Sequence, residues 1–299
     1  MSAAQLQSPM FDKVAIIGIG LIGSSIARAA RKHKLAKHIA IADSSEEARK
    51  IATELKLGES VHADPSEAAK DADLTLVCVP IGAYAEVGQA IAPHLKSGSI
   101  LSDVGSVKQA VLRDLGPLVP DHVHFIPGHP IAGTEYSGPA AGFAELFDGR
   151  WTILTPLPGW DEAAADKLAQ FWSKMGAMVE TMEPMHHDQV LAITSHLPHL
   201  IAYTIVGTAT GLEEHTQREV IKFSASGFRD FTRIAASNPI MWRDIFLNNR
   251  EAVLEMLGRF SEDLTALQRA IRWGEGEKLE DWFTRTRAVR RSIIDAKQA

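Results

Sequence analysis

Residues 14–23 read Val-Ala-Ile-Ile-Gly-Ile-Gly-Leu-Ile-Gly, an apolar run that passes directly into a G-x-G-x-x-G turn. The run predicts a buried β-strand, and the residues that follow predict an amphipathic helix beginning near Leu21. In such a turn Gly18 permits the tight bend, Gly20 lets the backbone approach a pyrophosphate, and Gly23 packs the helix on the strand. The phosphates then lie at a helix N-terminus, where backbone N–H groups favour anions.

A second feature of the predicted nucleotide site is Asp43, which closes the next predicted strand. An acidic side chain at that position accepts hydrogen bonds from the ribose hydroxyls of NAD and repels the 2′-phosphate of NADP. The alternative is a glycine-rich turn that binds nothing, with Asp43 capping a helix over residues 44–55. Residues 80–82 follow a further predicted strand. They either lie against the adenosine half of the cofactor or only form a Pro/Gly loop that ends the strand. The predicted cofactor-binding residues are Gly18, Gly20, Leu21, Ile22, Gly23, Asp43, Val79 and Pro80.

Outward from this turn, short β-type runs alternate with helical patterns from Lys13 to about Met182. The predicted strands cover residues 14–19, 39–43, 60–62, 74–79, 99–104, 123–127, 151–155 and 177–182. Such alternation predicts an α/β fold, a parallel sheet covered by helices on both faces. We therefore expect a Rossmann-type dinucleotide-binding domain over residues 11–183, preceded by a disordered tail at residues 1–10.

The remaining chain is predicted to be an all-helical domain, residues 184–299, because no convincing strand follows Pro184. Helical patterns run over residues 189–210, 239–267 and 276–296. The stretch 197–210 is apolar nearly all round, so it must be buried on more than one side. A helical region of this size offers little cover, and we expect at least a homodimer built on this domain.

Composition excludes several classes of function. The net charge is −6, so no basic surplus is available for a phosphate backbone and nucleic acid is not an expected partner. A single cysteine, Cys78, cannot form an internal disulfide and lies in an apolar run, which favours a reducing cytoplasm. The first residues lack the order of a signal peptide, and no stretch reaches the roughly 18 uninterrupted apolar residues of a membrane span.

Two polar residues follow predicted strands at the edge where open α/β sheets bind ligands. Ser106 comes after the strand at 99–104, and His129 comes after the strand at 123–127, in a predicted loop between a glycine and a proline. Histidine is the side chain best suited to take up a proton near neutral pH. Ser106 also fits as the N-cap of a helix that begins near Val107, and both interpretations of it stay open.

Four motifs together resemble the prephenate and arogenate dehydrogenases, the cyclohexadienyl dehydrogenases of tyrosine biosynthesis. They are the turn at 18–23, residues 103–108 (DVGSVK), residues 128–135 (GHPIAGTE), and the helical pair 195–199 (SHLPH) and 228–233 (FRDFTR). The resemblance implies NAD-dependent oxidative decarboxylation of prephenate or arogenate. It implies that His129 is the base at the C4 hydroxyl, that Ser106 orients this hydroxyl, and that Arg233 holds a carboxylate.

The resemblance also implies that the helical domains of a dimer interlock and that Trp242 reaches toward the partner's active site. Relatives often carry a chorismate mutase or a ligand-sensing domain, and we expect neither in a chain that ends at Ala299. The substrate-binding residues it implies are Arg233, His199, Ser195, His196, Thr134, Glu135, Asp230 and Trp242. Glu135 and Asp230 are the acidic candidates near the substrate side chain, whose identity stays open between prephenate and arogenate.

Other interpretations of these residues remain. Arg233 could belong to an ordinary surface ion-pair network with Arg229 and Asp230. The polar residues at 195–199 could be satisfied inside a helix bundle, and Pro198 should kink their helix near Thr194. A metal site is not expected, because no acidic or cysteine partner accompanies these histidines at ligand spacing.

Two rival functions are a β-hydroxyacid dehydrogenase or imine reductase, for which Lys222 is the nearest catalytic candidate, and an NAD-sensing module without turnover. The first would not need the loop at 128–135, and the second would tolerate loss of His129. If His129 is the base, the sequence alone predicts that kcat/KM increases with pH as a group with a pKa of about 6.5 loses its proton.

Overall fold

The computed structural model describes residues 8–211, 219, 222 and 225–295, with the side chains of 293–295 excepted. One compact unit ends at Arg250 and a second begins at Glu251. The tail expected at residues 1–10 lies largely outside the described residues. Met10 is described, and its backbone N–H donates to the carbonyl of Leu35 at 2.9 Å.

The first unit contains a six-stranded parallel sheet in the order β3-β2-β1-β4-β5-β6. This order changes direction between β1 and β4, and ligands of open α/β sheets bind at such a point. The predicted strands at residues 14–125 are all present, with ends that move by a few residues. The strands are β1 Phe11–Ile17, β2 Ala36–Ala42, β3 Ser60–His62, β4 Leu74–Val77, β5 Ile100–Asp103 and β6 His124–Phe125.

Helices connect these strands and cover the sheet. Their apolar side chains pack on the strands in a core that includes Ile16, Ile39, Leu76 and Trp172, with Cys78 partly buried against it. The helices of this part are α1 Leu21–Lys32, α2 Glu46–Glu54, α3 Pro65–Ala69, α4 Tyr84–Ile91, α5 Lys108–Asp114 and α6 Glu162–Lys174.

A separate three-stranded sheet follows, which corrects the expectation of one parallel sheet up to residue 182. It consists of β7 Gly128–Pro130, β8 Trp151–Leu154 and β9 Met178–Thr181. Strand β7 runs antiparallel to β8, with His129 opposite Ile153, whereas β8 and β9 are parallel. Alternating apolar segments predict strands but not their partners, so the sequence did not separate this sheet from the first. His129 consequently lies on a strand and not in a loop.

The helical part begins with α7 Pro184–Leu191, a π-helical turn at Ala192–His196 and α8 Leu197–Thr210. The π-turn lies directly before Pro198 and includes Thr194, where a proline-induced distortion was predicted. Next come α9 Ser226–Thr232, a 3₁₀ turn at Arg233–Ala236, and α10 Pro239–Asn248. The pattern predicted as one helix at 239–267 is thus interrupted at Asn249, where α11 Arg250–Trp273 begins, followed by α12 Gly276–Asp295.

Helix Pro184–Thr210 is, among the described residues, the one helix long and apolar enough to cross a membrane by length and composition. Only 28% of its most apolar stretch is buried. Within α8 the buried residues are Leu197 and Ala202, while Ile205 stays 39% exposed. Among the described residues, much of the apolar surface of this helix is therefore exposed.

Candidate active site

The glycine turn between β1 and α1 is tightly bent and open on its outer side. Gly18 has a φ of +97°, and a Cβ there would lie 2.6 Å from the carbonyl oxygen of Cys78. A Cβ on Gly23 would lie 2.1 Å from the Gly18 oxygen, whereas one on Gly20 would meet nothing within 4 Å. The N-terminus of α1 has no side-chain cap, so its first backbone N–H groups are left for an anion. Gly18 and Gly23 shape the turn, and Gly20 keeps its outer side open.

Asp43 lies beside this turn at the end of β2. One carboxylate oxygen accepts from the backbone N–H of Ile19 at 2.8 Å, and the other accepts from that of Ser45 at 2.9 Å. The cap of α2 is Ser45 and not Asp43, so capping does not explain this carboxylate. The Arg49 guanidinium lies beside Asp43, because its Nη1 donates to the Asp43 carbonyl oxygen at 2.8 Å and to the Ser44 carbonyl oxygen at 2.9 Å. The edge therefore carries a guanidinium as well as a carboxylate.

A buried ion pair follows β5. Lys108 Nζ lies 2.6 Å from Asp103 Oδ2 and also donates to the Gly128 carbonyl oxygen, with both charged side chains fully buried. Asp103 further accepts from the backbone N–H of Gly105 at 2.7 Å and of Gly128 at 3.1 Å. The pair thus joins the end of β5 to β7 and holds the backbone beside His129.

Ser106 lies within this loop and is half-buried. Helix α5 begins at Lys108 with Val107 as its N-cap residue, so the predicted capping role of Ser106 is wrong. Asp188 replaces it, accepting from the first two backbone N–H groups of α5. In the described part of the chain, no residue hydrogen-bonds the Ser106 hydroxyl, which leaves it able to bind a ligand.

His129 is 8% exposed and is fixed by a second histidine. Its Nδ1 lies 2.9 Å from Nε2 of His187, and Nδ1 of His187 lies 2.8 Å from Oδ1 of Asp188. Burial, followed by the neighbouring His187 and Lys108, holds the pKa of His129 well below its ordinary value of 6.5. His129 is therefore a neutral imidazole at pH 7, which corrects the value predicted from sequence.

The histidines of the helical motif surround Trp242. The ring of His199 stacks on this indole at 3.6 Å, and its Nδ1 lies 2.9 Å from the Ser195 carbonyl oxygen. His196 is fully buried, with Nδ1 3.0 Å from Nδ2 of Asn249, and burial lowers its pKa to about 4. Nε2 of His196 and Nε1 of Trp242 are buried and, among the described residues, without hydrogen-bond partners. Both atoms are therefore suited to a polar ligand.

Trp242 is 6% exposed and packs in its own chain with residues that include Ile81 and Val107. The expected reach of Trp242 toward a partner's active site stays a prediction.

Arg233 pairs with the loop that follows His129. Its Nη1 lies 3.0 Å from Oε2 of Glu135, and the two side chains are 57% and 26% exposed. Asp230 lies 3.9 Å from Arg229, with both side chains about three-quarters exposed, so that pair is a surface contact. Thr134 is half-buried, and its hydroxyl accepts from the backbone N–H of Tyr136 at 3.2 Å. The structure thus brings Arg233 and Glu135 together and leaves Asp230 on the surface.

Sequence reasoning missed His187 and Asp188. The pair stands at the start of α7, 58 residues from His129, so chain separation hid the contact. One signal was present, since an adjacent histidine and aspartate in the helix that follows the last predicted strand are titratable groups of the kind that form functional sites. Lys222, the candidate of the rival class, is exposed. No group of three or more metal-ligating side chains occurs among the described residues.

A glycine turn at the point where the strand order reverses, together with a buried neutral histidine whose strand is hydrogen-bonded to the carboxyl end of β5, is characteristic of a nucleotide-binding oxidoreductase. Residues 26–181 match the family "Prephenate dehydrogenase, nucleotide-binding domain", and residues 183–285 match "Prephenate dehydrogenase, dimerization domain". The chain belongs to the prephenate dehydrogenase family, and it is an enzyme.

Three relatives show the extent of the likeness. A cyclohexadienyl dehydrogenase of Zymomonas mobilis is 43% identical over 95% of this chain and 97% of its own length. The crystal structure of prephenate dehydrogenase from Aquifex aeolicus, in complex with hydroxyphenyl propionate and NAD+, is 31% identical, covers 94% of this chain and 98% of its own, and has a TM-score of 0.87. The Synechocystis arogenate dehydrogenase is 26% identical over 94% of this chain and 99% of its own, with a TM-score of 0.78.

Proposed function

We propose that this enzyme oxidises and decarboxylates prephenate, arogenate or both with NAD, forming 4-hydroxyphenylpyruvate or tyrosine in the cytoplasm. The observation that carries the proposal is His129, a buried and neutral imidazole beside the nucleotide-binding edge. The names of the relatives supply the substrate class. Bound NAD supplies the acceptor for the hydride that leaves C4 of the substrate ring.

His129 acts on the hydroxyl at the same carbon. The O–H proton passes to the free ring nitrogen of His129, and the O–H electron pair becomes part of the new carbonyl group. Loss of the C1 carboxylate as carbon dioxide then gives the aromatic ring, whose phenol oxygen regains a proton. A positioned base of this kind contributes about 10²–10⁴-fold to the rate. Ser106, whose hydroxyl has no partner among described residues, would orient the substrate hydroxyl.

Arg233 is the proposed anchor for a substrate carboxylate, because its guanidinium can grip two oxygens at once. Its present partner, Glu135, is partly exposed, and such a pair is worth no more than about 1 kcal/mol. An incoming carboxylate therefore displaces Glu135 at little cost. Glu135 is then left near the substrate side chain, where it would favour the amino group of arogenate over the keto group of prephenate.

The other expected substrate-binding residues divide by location. Ser195, His196 and His199 lie at the π-turn and the start of α8, beside Trp242. The unpartnered nitrogens of His196 and Trp242 support a polar substrate group there. Thr134 lies next to Glu135 and is proposed to contact the substrate. Asp230 is exposed and is proposed to lie at the edge of the substrate site.

The proposed cofactor is NAD in preference to NADP. Asp43 disfavours a 2′-phosphate, and the carboxylate oxygens that accept from Ile19 and Ser45 can accept further bonds from ribose hydroxyls. Arg49 acts in the opposite direction, because its guanidinium lies at the same edge and would attract the 2′-phosphate of NADP. We therefore expect a preference of about tenfold and not an absolute one.

The proposed assembly is a homodimer built on the helical domain. The uncovered apolar surface of α8 and the dimerization-domain family support it. The family matches also support domains at 11–183 and 184–299, although the compact units divide at Arg250. Light scattering at micromolar concentration should give the dimer mass, and Ile205→Glu should shift it toward the monomer. A monomeric wild-type chain would overturn this part of the proposal.

Turnover tests the function directly. Prephenate and arogenate are supplied separately with NAD, and formation of NADH and of carbon dioxide is followed in the same reaction. We expect equal amounts of both products with at least one substrate, and the ratio of the two kcat/KM values gives the preference. NADH without carbon dioxide would indicate a simple alcohol dehydrogenase, and binding of NAD without any product would indicate a sensing module.

A further inference from the structure

We propose that His187 and Asp188 are positioning residues that fix the tautomer of His129, so that its Nε2, and not its Nδ1, presents a lone pair to the substrate. The inference rests on the chain of contacts from His129 through His187 to Asp188, which we call the relay. It deepens the proposed function, since it names the groups that prepare the base of that same site.

The fixed end of the relay is Asp188. Its Oδ1 accepts from the backbone N–H of Lys108 at 2.7 Å, and its Oδ2 accepts from that of Gln109 at 2.9 Å. Its own carbonyl oxygen accepts from Nδ2 of Asn249 at 2.8 Å. The carboxylate therefore cannot rotate away without leaving two N–H groups of α5 unpaired. A carboxylate can only accept hydrogen bonds, and this property sets the direction of the relay.

The direction follows atom by atom. Because Asp188 accepts, Nδ1 of His187 carries the proton, and Nε2 of a neutral His187 then holds a lone pair. His129 must donate to that lone pair through its Nδ1–H across 2.9 Å. Its remaining nitrogen, Nε2, is then the only basic atom on the ring. The opposite tautomer of His129 would place two lone pairs face to face.

Burial and the neighbouring charges disfavour the remaining arrangement, in which His187 is a cation that donates to His129. Burial is the largest factor, and it lowers the pKa of His187 although Asp188 acts in the opposite direction. The charged or titratable groups that act on the two rings are Lys108 and Asp103 beside β5, His196 in the π-turn, and Asp188 itself. Lys108 opposes positive charge on both rings, so both imidazoles of the relay are neutral before the reaction, beside the Asp188 carboxylate.

The fold also supplies a matched control. Glu183 caps α7 by accepting from the backbone N–H of His186 at 2.8 Å, which fixes where the first turn of this helix points. His187 is consequently fully buried in the relay, whereas His186, its neighbour in the chain, is exposed. A substitution made at either position replaces a histidine in the first turn of α7. Only His187 contacts His129, so His186 serves as the control.

Two substitutions at His187 separate positioning from packing. Gln can place its amide oxygen near the position of Nε2 and accept from Nδ1–H of His129, whereas Leu offers no acceptor. We expect His187→Leu to lower kcat by about 30-fold or more with KM within about threefold, since loss of an orienting partner typically costs 10–100-fold. His187→Gln should recover kcat to within about fivefold of wild type. His186→Leu should match wild type.

The tautomer itself is measured by ¹⁵N NMR of histidine-labelled enzyme without substrate, with the His129 signals identified by their loss in His129→Asn. We expect a protonated Nδ1 and an unprotonated Nε2 in wild type and in His187→Gln, and a mixture in His187→Leu. A wild-type signal with the proton on Nε2, or equal kcat for the Leu and Gln variants, would overturn the inference. The NMR result needs no turnover, so failure of the proposed reaction and failure of the relay are distinguishable.

Discussion

The two ends of the candidate active site are built in opposite ways. The relay of His129, His187 and Asp188 is buried, with its members 8%, 0% and 3% exposed. The arginine cluster, formed by Arg229, Asp230 and Arg233 with Glu135, lies on the surface, and Arg233 is 57% exposed. The difference teaches that the fold holds His129 in place, because this residue must act on charge that develops on the substrate during the reaction. The group that grips a charge already present in the substrate is left free to exchange partners.

The largest effect should come from the buried end. His129→Asn removes the proton acceptor while keeping a polar side chain of similar reach, so kcat should fall by about 10²–10⁴-fold with substrate and NAD binding retained. Steady-state kinetics with calorimetric binding measures both quantities. The exposed His186 gives the control, since His186→Asn should leave kcat unchanged. Near-normal kcat in His129→Asn would move the base to another residue.

The next effect belongs to the exposed end. Arg233→Ala should mainly raise KM and lower kcat/KM by about 30-fold or somewhat more, the lower range for a charge-assisted contact, because the guanidinium is half solvated before substrate binds. Arg229→Ala removes a surface arginine four residues earlier and should change kcat/KM by less than about threefold. Equal losses in the two variants would show that the cluster acts only through its overall charge.

A smaller effect is expected at the nucleotide-binding edge. Asp43 is held there by backbone N–H groups, and Arg49 lies beside it. Asp43→Ser should narrow the preference for NAD over NADP from about tenfold toward equality, because the carboxylate that opposes the 2′-phosphate is removed. Arg49→Ala should act in the reverse direction and widen the preference. The ratio of kcat/KM for the two cofactors measures both. A wild-type enzyme with equal rates would contradict the assignment of Asp43.

The smallest effect is on pH dependence. Since burial holds the pKa of His129 well below 6.5, this side chain is already neutral and active throughout the neutral range. Activity that depends on it is lost only as pH falls through that lowered pKa, so kcat/KM should be flat between about pH 6.5 and 8. An inflection near pH 6.5 that disappears in His129→Asn would show that the ring is more exposed to solvent in solution.

The sequence predicted the features that arise from local pattern. The glycine turn, Asp43 and the six parallel strands follow from apolar runs and from spacing, and each lies where it was predicted within a few residues. Ser106 failed as a cap because the first N–H groups of α5 donate to Asp188, which lies 80 residues after Lys108 in the chain. The strand at His129 and the relay were missed for the same reason, since pairing across long separations leaves little trace in periodicity.

Pre-steady-state kinetics tests the central contrast most directly. In a single turnover at saturating substrate and NAD, the rate of NADH formation reports the chemical step separately from binding. We predict a rate lowered by at least about 100-fold in His129→Asn and a rate within about fivefold of wild type in Arg233→Ala. A slow chemical step in Arg233→Ala together with a normal one in His129→Asn would contradict the account.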